Sequence, residues 1–187
     1  MENLRIFIAV ELPQDVKNNL LALQDEMKKT GADVKWVKPE DMHLTLVFLG
    51  STPPEKIPAV GENLKKILSG FRPFDIELEG TGSFPESGKP RVIWAGVSGG
   101  SEDLARLQKG VEDVTRELGF AGDDRGFTPH LTLGRVRGPG KLEALQAVLE
   151  KRKTAKFGTV RITSVEIIKS EPGPEGPVYK LIENISL

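Results

Sequence analysis

Apolar residues recur along this chain with two periods, and the order in which the periods alternate is nearly the same in both halves. Residues 4–10 form an apolar-rich run that predicts a strand. Pro13 then opens a helix with Val16, Leu20, Leu23 and Met27 at helical spacing. A short strand at 34–37 leads into the apolar run 42–50, which ends at glycine and reads as a buried strand. Pro53 and Pro54 open a second helix carrying Ile57, Val60, Leu64 and Ile67, and 74–78 alternates as a strand does. The second pass begins with a strand at 92–97. Ser101 is the expected cap of a helix with Leu104, Leu107, Val111, Val114 and Leu118 on one face. A buried strand at 127–134, a helix from Pro139 through Leu142, Leu145 and Leu149, and strands at 159–168 and 178–185 complete the pattern. The Gly- and Pro-rich stretches 80–90 and 171–177 read as loops.

The first strands of the two passes begin at Leu4 and Val92, and this period is far longer than that of solenoid repeats. The expected fold class is α+β: two pseudo-symmetric lobes, each a mainly antiparallel sheet with helices on its outer face, and a central cleft between them. Residues 1–187 then form one bilobal domain built from half-domains 1–88 and 89–187, with strands open to exchange between the halves.

Composition narrows the function classes. The formal net charge is -1, so no global field draws the protein onto long nucleic acid, and any such contact must be local. There is no cysteine, hence neither a disulfide framework nor a thiolate zinc site. No leader-like basic-then-apolar segment and no membrane-length apolar run occurs, which points to a cytoplasmic protein without membrane contact, expected as a monomer. The glycines at 96–100 lack the lysine and spacing of a phosphate loop, so no ATP or NAD cofactor is expected.

The chain has only two histidines, and both open the same tetrapeptide: His43-Leu44-Thr45-Leu46 and, 87 residues later, His130-Leu131-Thr132-Leu133. On a strand, alternation puts His43 with Thr45 and His130 with Thr132 on one face, and the leucines on the other. One such histidine alone is more often a satisfied core residue; the repetition favours chemistry. A neutral imidazole accepts a proton and a charged one donates it, and both forms are accessible near neutral pH. Breaking a phosphodiester uses both services, at opposite sides of phosphorus. The threonine hydroxyls are placed to hold the non-bridging oxygens. Two histidines fall short of a closed metal site, and the scheme needs no metal.

These motifs resemble those of the 2H phosphoesterase superfamily, and more closely its RNA 2',3'-cyclic phosphodiesterase branch, historically called 2'-5' RNA ligases. Arg5-Ile6-Phe7-Ile8-Ala9, Trp36-Val37, the whole of 43–50, Phe84-Pro85, the strand 91–97, Thr128-Pro129-His130 through Arg135, and Gly176-Pro177-Val178-Tyr179 are also similar. The resemblance implies a hydrolase of RNA processing that opens an RNA-terminal 2',3'-cyclic phosphate to a 2'-phosphate, together with reversible 2'-5' RNA ligation in which a 5'-hydroxyl replaces water. It implies His43 as proton donor, His130 as proton acceptor, and Thr45 and Thr132 as phosphate binders, acting on RNA ends or nucleotides that bear the cyclic phosphate. The residues themselves do not distinguish the two histidines.

Other candidates are open to two readings. An arginine at the position of Arg135 is associated with phosphate recognition in the similar family, yet strict alternation turns it away from His130 unless the strand bulges at Gly134. Arg5 and Phe7 share a face and offer a cation and a stacking surface for a base, although Phe7 also reads as core. Tyr179 is a nucleotide contact or an edge-packing residue; Trp36 and Trp94 read as packing. The basic run Lys151, Arg152, Lys153 and Lys156 reads as a solvated helix end, with an RNA backbone track as the minority reading. Rival functions are a phosphodiesterase for another cyclic phosphate, such as an ADP-ribose cyclic phosphate or a cyclic oligonucleotide, and a non-catalytic nucleotide or RNA-end binding module.

Overall fold

The computed structural model describes residues 2–122, 126–174 and 176–187. In chain order the elements are β1 (Leu4–Glu11), α1 (Gln14–Lys28), β2 (Val34–Trp36), β3 (His43–Thr52), α2 (Ile57–Leu68), β4 (Phe74–Phe84), β5 (Val92–Val97), α3 (Ser101–Glu117), β6 (His130–Val136), α4 (Leu142–Lys151), β7 (Lys156–Ile162), β8 (Ser164–Gly173) and β9 (Gly176–Ser186). They build an α+β fold with two antiparallel sheets, ordered β3-β1-β8-β9 and β2-β6-β5-β4-β7. Each sheet takes strands from both halves of the sequence. Among the described residues no helix is long and apolar enough to cross a membrane.

Of the apolar stripes anticipated for the helices, Val16, Leu20, Leu23 and Met27 on α1, Val60 and Leu64 on α2, Leu104, Leu107 and Val111 on α3, and Leu145 and Leu149 on α4 are buried, while Ile57, Ile67, Val114, Leu118 and Leu142 are half-buried at the stripe margins. They meet the leucines of both tetrapeptides in one core, where Leu44, Leu131 and Leu133 are fully buried. A second, small cluster of Phe7, Ala9 and Ile168, with Tyr179 packed against it, lies on the opposite face of the four-stranded sheet.

Several expectations need correction. The apolar run 159–168 is two strands: β7 ends at Ile162 in the five-stranded sheet and β8 starts at Ser164 in the other, so the chain changes sheets at Thr163, where the buried alternation slips by one residue. The stretch 80–90 is not all loop, because β4 stays paired with β5 as far as Phe84 opposite Val92. Within 171–177, the pairs Pro172 with Pro177 and Gly173 with Gly176 carry the hairpin to its tip. The second histidine strand begins at His130, later than expected. Ser101 is the first residue of α3, not its cap. That place is taken by Gly100 at φ +70°, where a Cβ would stand 2.1 Å from the Asp75 carbonyl oxygen, so only glycine fits.

Candidate active site

Both tetrapeptides break their alternation at the fourth residue, and the break has the same cause. In the β1–β3 ladder Ala9 faces Thr45 but Ile8 faces Val47, leaving Leu46 as the extra residue; in the β5–β6 ladder Trp94 faces Thr132 but Ile93 faces Gly134, leaving Leu133 extra. A bulge of this kind puts two successive residues toward the core and resets the parity beyond it. Arg135 therefore returns to the face of His130 and Thr132, as the conditional reading of Gly134 required. Gly134 is needed there, since a Cβ would lie 2.6 Å from Val34 Cγ1 and 3.0 Å from the Trp36 ring. Buried Gln24 of α1 fastens the bulge: its Nε2 donates to the Leu133 carbonyl at 2.8 Å and to the Val37 carbonyl at 2.9 Å, while Val37 N–H also donates to Leu133.

The strands carrying the histidines belong to different sheets, yet Cα atoms of β3 and β6 approach within 8 Å. Around His43 the groups are tightly packed. Its ring stacks on Phe7 at 4.8 Å and meets the edge of Tyr179 at 5.0 Å, and Phe7 and Tyr179 are themselves 5.1 Å apart. Phe7 is thus both buried and a lining of the site, so its two readings coincide. Arg5 on β1 and Arg135 on β6 both act electrostatically on the Tyr179 hydroxyl, which burial and Asp41 push above its ordinary value. Tyr179 thus packs against the small cluster on this sheet and touches the rings of His43 and Phe7 at once.

On the other side, His130 meets the Phe84 ring edge-on at 5.0 Å. Its Nδ1–H donates to the Thr128 carbonyl at 2.7 Å, which leaves Nε2 to face a substrate. Trp94 packs over Gly82 on the same face and lies 5.4 Å from Phe84; its buried indole N–H has no acceptor among the described residues.

The surroundings break the symmetry of the two motifs. Directly across the ladder from His43 is Glu11, ion-paired to the buried Lys17 of α1; directly across from His130 is Gly96. Burial first, and then the charge of Lys17, push the His43 imidazole from 6.5 down to about 4. Nearby carboxyls feel the same burial. Asp41 is raised by burial and by Glu40, and Glu166 of β8 by burial and by Glu11, against a hydrogen bond from Asn184.

Two lining residues went unnoticed in the sequence. Phe84 was seen only as part of a resemblance, and nothing local ties it to His130. Phe48 stands at the place in the first motif that Arg135 holds in the second, is 63% exposed, and lies 6.0 Å from Phe7. An exposed aromatic at the post-bulge position of a repeated motif was the signal for it. The basic run is spent on structure: Lys151 and Arg152 pair with Glu26, Lys153 with Glu150 and Lys156 with Glu77. Among the described residues no group of three or more His, Asp or Glu is placed to hold a metal. Two surface depressions, one bordered by Glu11, Asp15 and Arg161 and one between 88–90 and 139–146, contain no histidine.

Comparison with known proteins agrees with this geometry. The sequence model of the family described as LigT like Phosphoesterase matches residues 10–94 and 96–179. An RNA 2',3'-cyclic phosphodiesterase of Methanothermobacter thermautotrophicus is 34% identical over 96% of this chain and 96% of its own length. One of Archaeoglobus fulgidus is 35% identical over 95% and 97%. The crystal structure of a Thermus thermophilus protein matches with a TM-score of 0.81 and 33% identity, covering 98% of this chain and 97% of that one. Escherichia coli LigT complexed with 3'-AMP shares the fold, with a TM-score of 0.80 at 22% identity over 100% and 99% of the two chains. With the family pattern spanning both histidine strands and these relatives matching nearly end to end, the chain belongs to the LigT-like phosphoesterase family.

Proposed function

We propose that this chain hydrolyses 2',3'-cyclic phosphates at RNA ends to 2'-phosphates, with His43 and His130 as an acid–base pair. The observation that carries the reading is that two identical His-x-Thr strands from different sheets approach each other with their polar faces reset by matching bulges. The names of the relatives supply the substrate class.

His130 is suited to accept a proton. The Thr128 carbonyl holds the hydrogen on Nδ1 and so presents the lone pair on Nε2. Water attacks phosphorus and gives its proton to that nitrogen, the bond from phosphorus to the 3' oxygen breaks, and His43 protonates the departing oxygen. Both histidines then return to their starting states by proton exchange with solvent. His43 is neutral in the empty cleft at pH 7 and takes up its proton with the anionic substrate, whose charge opposes that of Lys17. Thr45 and Thr132 donate to the non-bridging oxygens, and the forked donors of Arg135 suit the same phosphate. Phe7, Phe48, Arg5 and Tyr179 line the side on which a terminal nucleoside would stack. Joining RNA ends through a 2'-5' bond is the same ring opening with a 5'-hydroxyl in place of water: the 5' oxygen bonds to phosphorus and gives its proton to His130, and the 3' oxygen leaves with a proton from His43.

The test is product identity. Nucleoside and short-RNA 2',3'-cyclic phosphates incubated with the protein are expected to give 2'-monophosphate ends. Formation of 3'-monophosphate, or turnover only of an ADP-ribose cyclic phosphate, would overturn the reading. Tight binding of cyclic ends with no turnover at any pH would favour the binding-module alternative.

A further inference from the structure

Three cations gather at one end of the cleft, and the cyclic phosphate does not require all of them. Lys35 of the edge strand β2 lies directly opposite Arg135 in the β2–β6 ladder, so it shares the face of His130 and Thr132. Like charges directly opposed across a ladder are destabilising. Among the described residues no carboxylate forms an ion pair with Lys35, Arg135 or Arg5. The Lys35 side chain also spans the gap between the sheets: a Cβ on Gly176, the first residue of β9, would lie 2.7 Å from its Nζ. Arg5 shares this corner by register, since it lies opposite Ser170 of β8, which lies opposite Tyr179 three residues further along β9, and Arg135 lies opposite Lys35. Side chains from β1, β2 and β6 thus converge on the half-buried start of β9.

We infer that Lys35 forms a second phosphate subsite, which holds the phosphodiester joining the terminal nucleoside to the rest of an RNA strand. This rests on the function proposed above, and deepens it: the site is then built for RNA chains in preference to mononucleotides. The chemistry of the three cations divides naturally. The planar fork of Arg135 suits the reacting phosphate, whereas the ammonium of Lys35 is a point charge on a flexible stem, which suits a backbone phosphate held without strict orientation.

The test compares Lys35→Gln with the parent in binding, so that it does not depend on turnover. The probes are a trinucleotide RNA ending in a 2'-phosphate and the matching nucleoside 2'-monophosphate, titrated between about 50 and 200 mM salt. Lys35→Gln is expected to weaken the trinucleotide about fivefold at the low-salt end and to lower its slope of log affinity against log salt by about 0.7, the value of one phosphate contact on a single strand. The nucleoside should change less than twofold. Lys35→Arg should restore the salt slope. Equal losses on both probes, or an unchanged slope for the trinucleotide, would overturn the subsite. A parent that binds both probes with the predicted difference yet opens no cyclic phosphate would refute the proposed reaction while leaving the subsite standing.

Discussion

Replacing Lys17 by methionine together with Glu11 by glutamine removes the buried cation behind His43 without stranding its carboxylate partner. Lys17 is buried and Glu11 is exposed, and removing both avoids the cost of leaving either charge without its partner. His43 sits at about 4, against an ordinary 6.5, for two reasons: burial, the larger, and the charge of Lys17. The gap is worth roughly 3 kcal/mol against the charged form. In the double variant the ring stays between Phe7 and Tyr179, so more than half of the depression should persist and the imidazole should titrate at about 5 or below. Because the chain has two histidines, proton NMR of the ring hydrogens resolves both titrations without isotope editing. The sign of the stability effect follows. Below 6.5 the unfolded chain binds a proton at His43 that the folded chain refuses until about 4, so this group's contribution is full above 6.5 and falls away as pH drops toward 4. Urea melts of the parent should lose up to roughly 3 kcal/mol more over that interval than melts of His43→Asn. A parent His43 titrating at its ordinary value would refute the reasoning, as would a variant whose His43 does not move.

Other expectations follow from single contacts. Gln24→Leu leaves the Leu133 and Val37 carbonyls without the amide donor and should cost about 1–3 kcal/mol in urea melts; a variant as stable as the parent would remove Gln24 from the support of the bulge. The same variant should lose activity beyond its stability loss, because Arg135 depends on that bulge. Thr45→Val and Thr132→Val should each lower kcat by about 10²-fold with little change in fold, measured by steady-state kinetics and circular dichroism. The pH dependence of kcat/KM should fall on both sides of an optimum, with the acidic limb set by the imidazole near 4 and moved upward in the Lys17→Met, Glu11→Gln variant.

How far the site was legible depends on how local each feature is. The tetrapeptides, their leucine anchors and the helix stripes are patterns of period two or near four, and they are where the chain places them. The facing of Arg135 was readable as a condition, because glycine after an alternating run signals a bulge; that Leu133 is the extra residue depends on the partner strand, which the local pattern does not name. Features set by distant partners were hidden. Gln24 looks like any polar helix residue until its carbonyl acceptors, 109 residues away in one case, come into view. Lys17 and Glu11 look like surface charges, and only the ladder that sets Glu11 against His43 and Gly96 against His130 separates two motifs that are chemically the same. The switch of sheets at Thr163 left only a slight mark, a one-residue slip of the alternation from Val160 and Ile162 to Val165 and Ile167 across polar Thr163 and Ser164.

The central claim is that two imidazoles serve one phosphorus atom, and the most direct measurement is the rate at which the parent, His43→Ala and His130→Ala open a nucleoside 2',3'-cyclic phosphate in excess chelator, followed by ³¹P NMR. The parent is expected to keep its activity and yield the 2'-monophosphate, while each variant is slower by at least about 10²-fold. A 3'-sulfur analogue separates the roles: its leaving atom needs no proton, so it should rescue His43→Ala and not His130→Ala. Either variant retaining a rate within about tenfold of the parent, or loss of parental activity in chelator with recovery on adding one divalent ion, would contradict the claim.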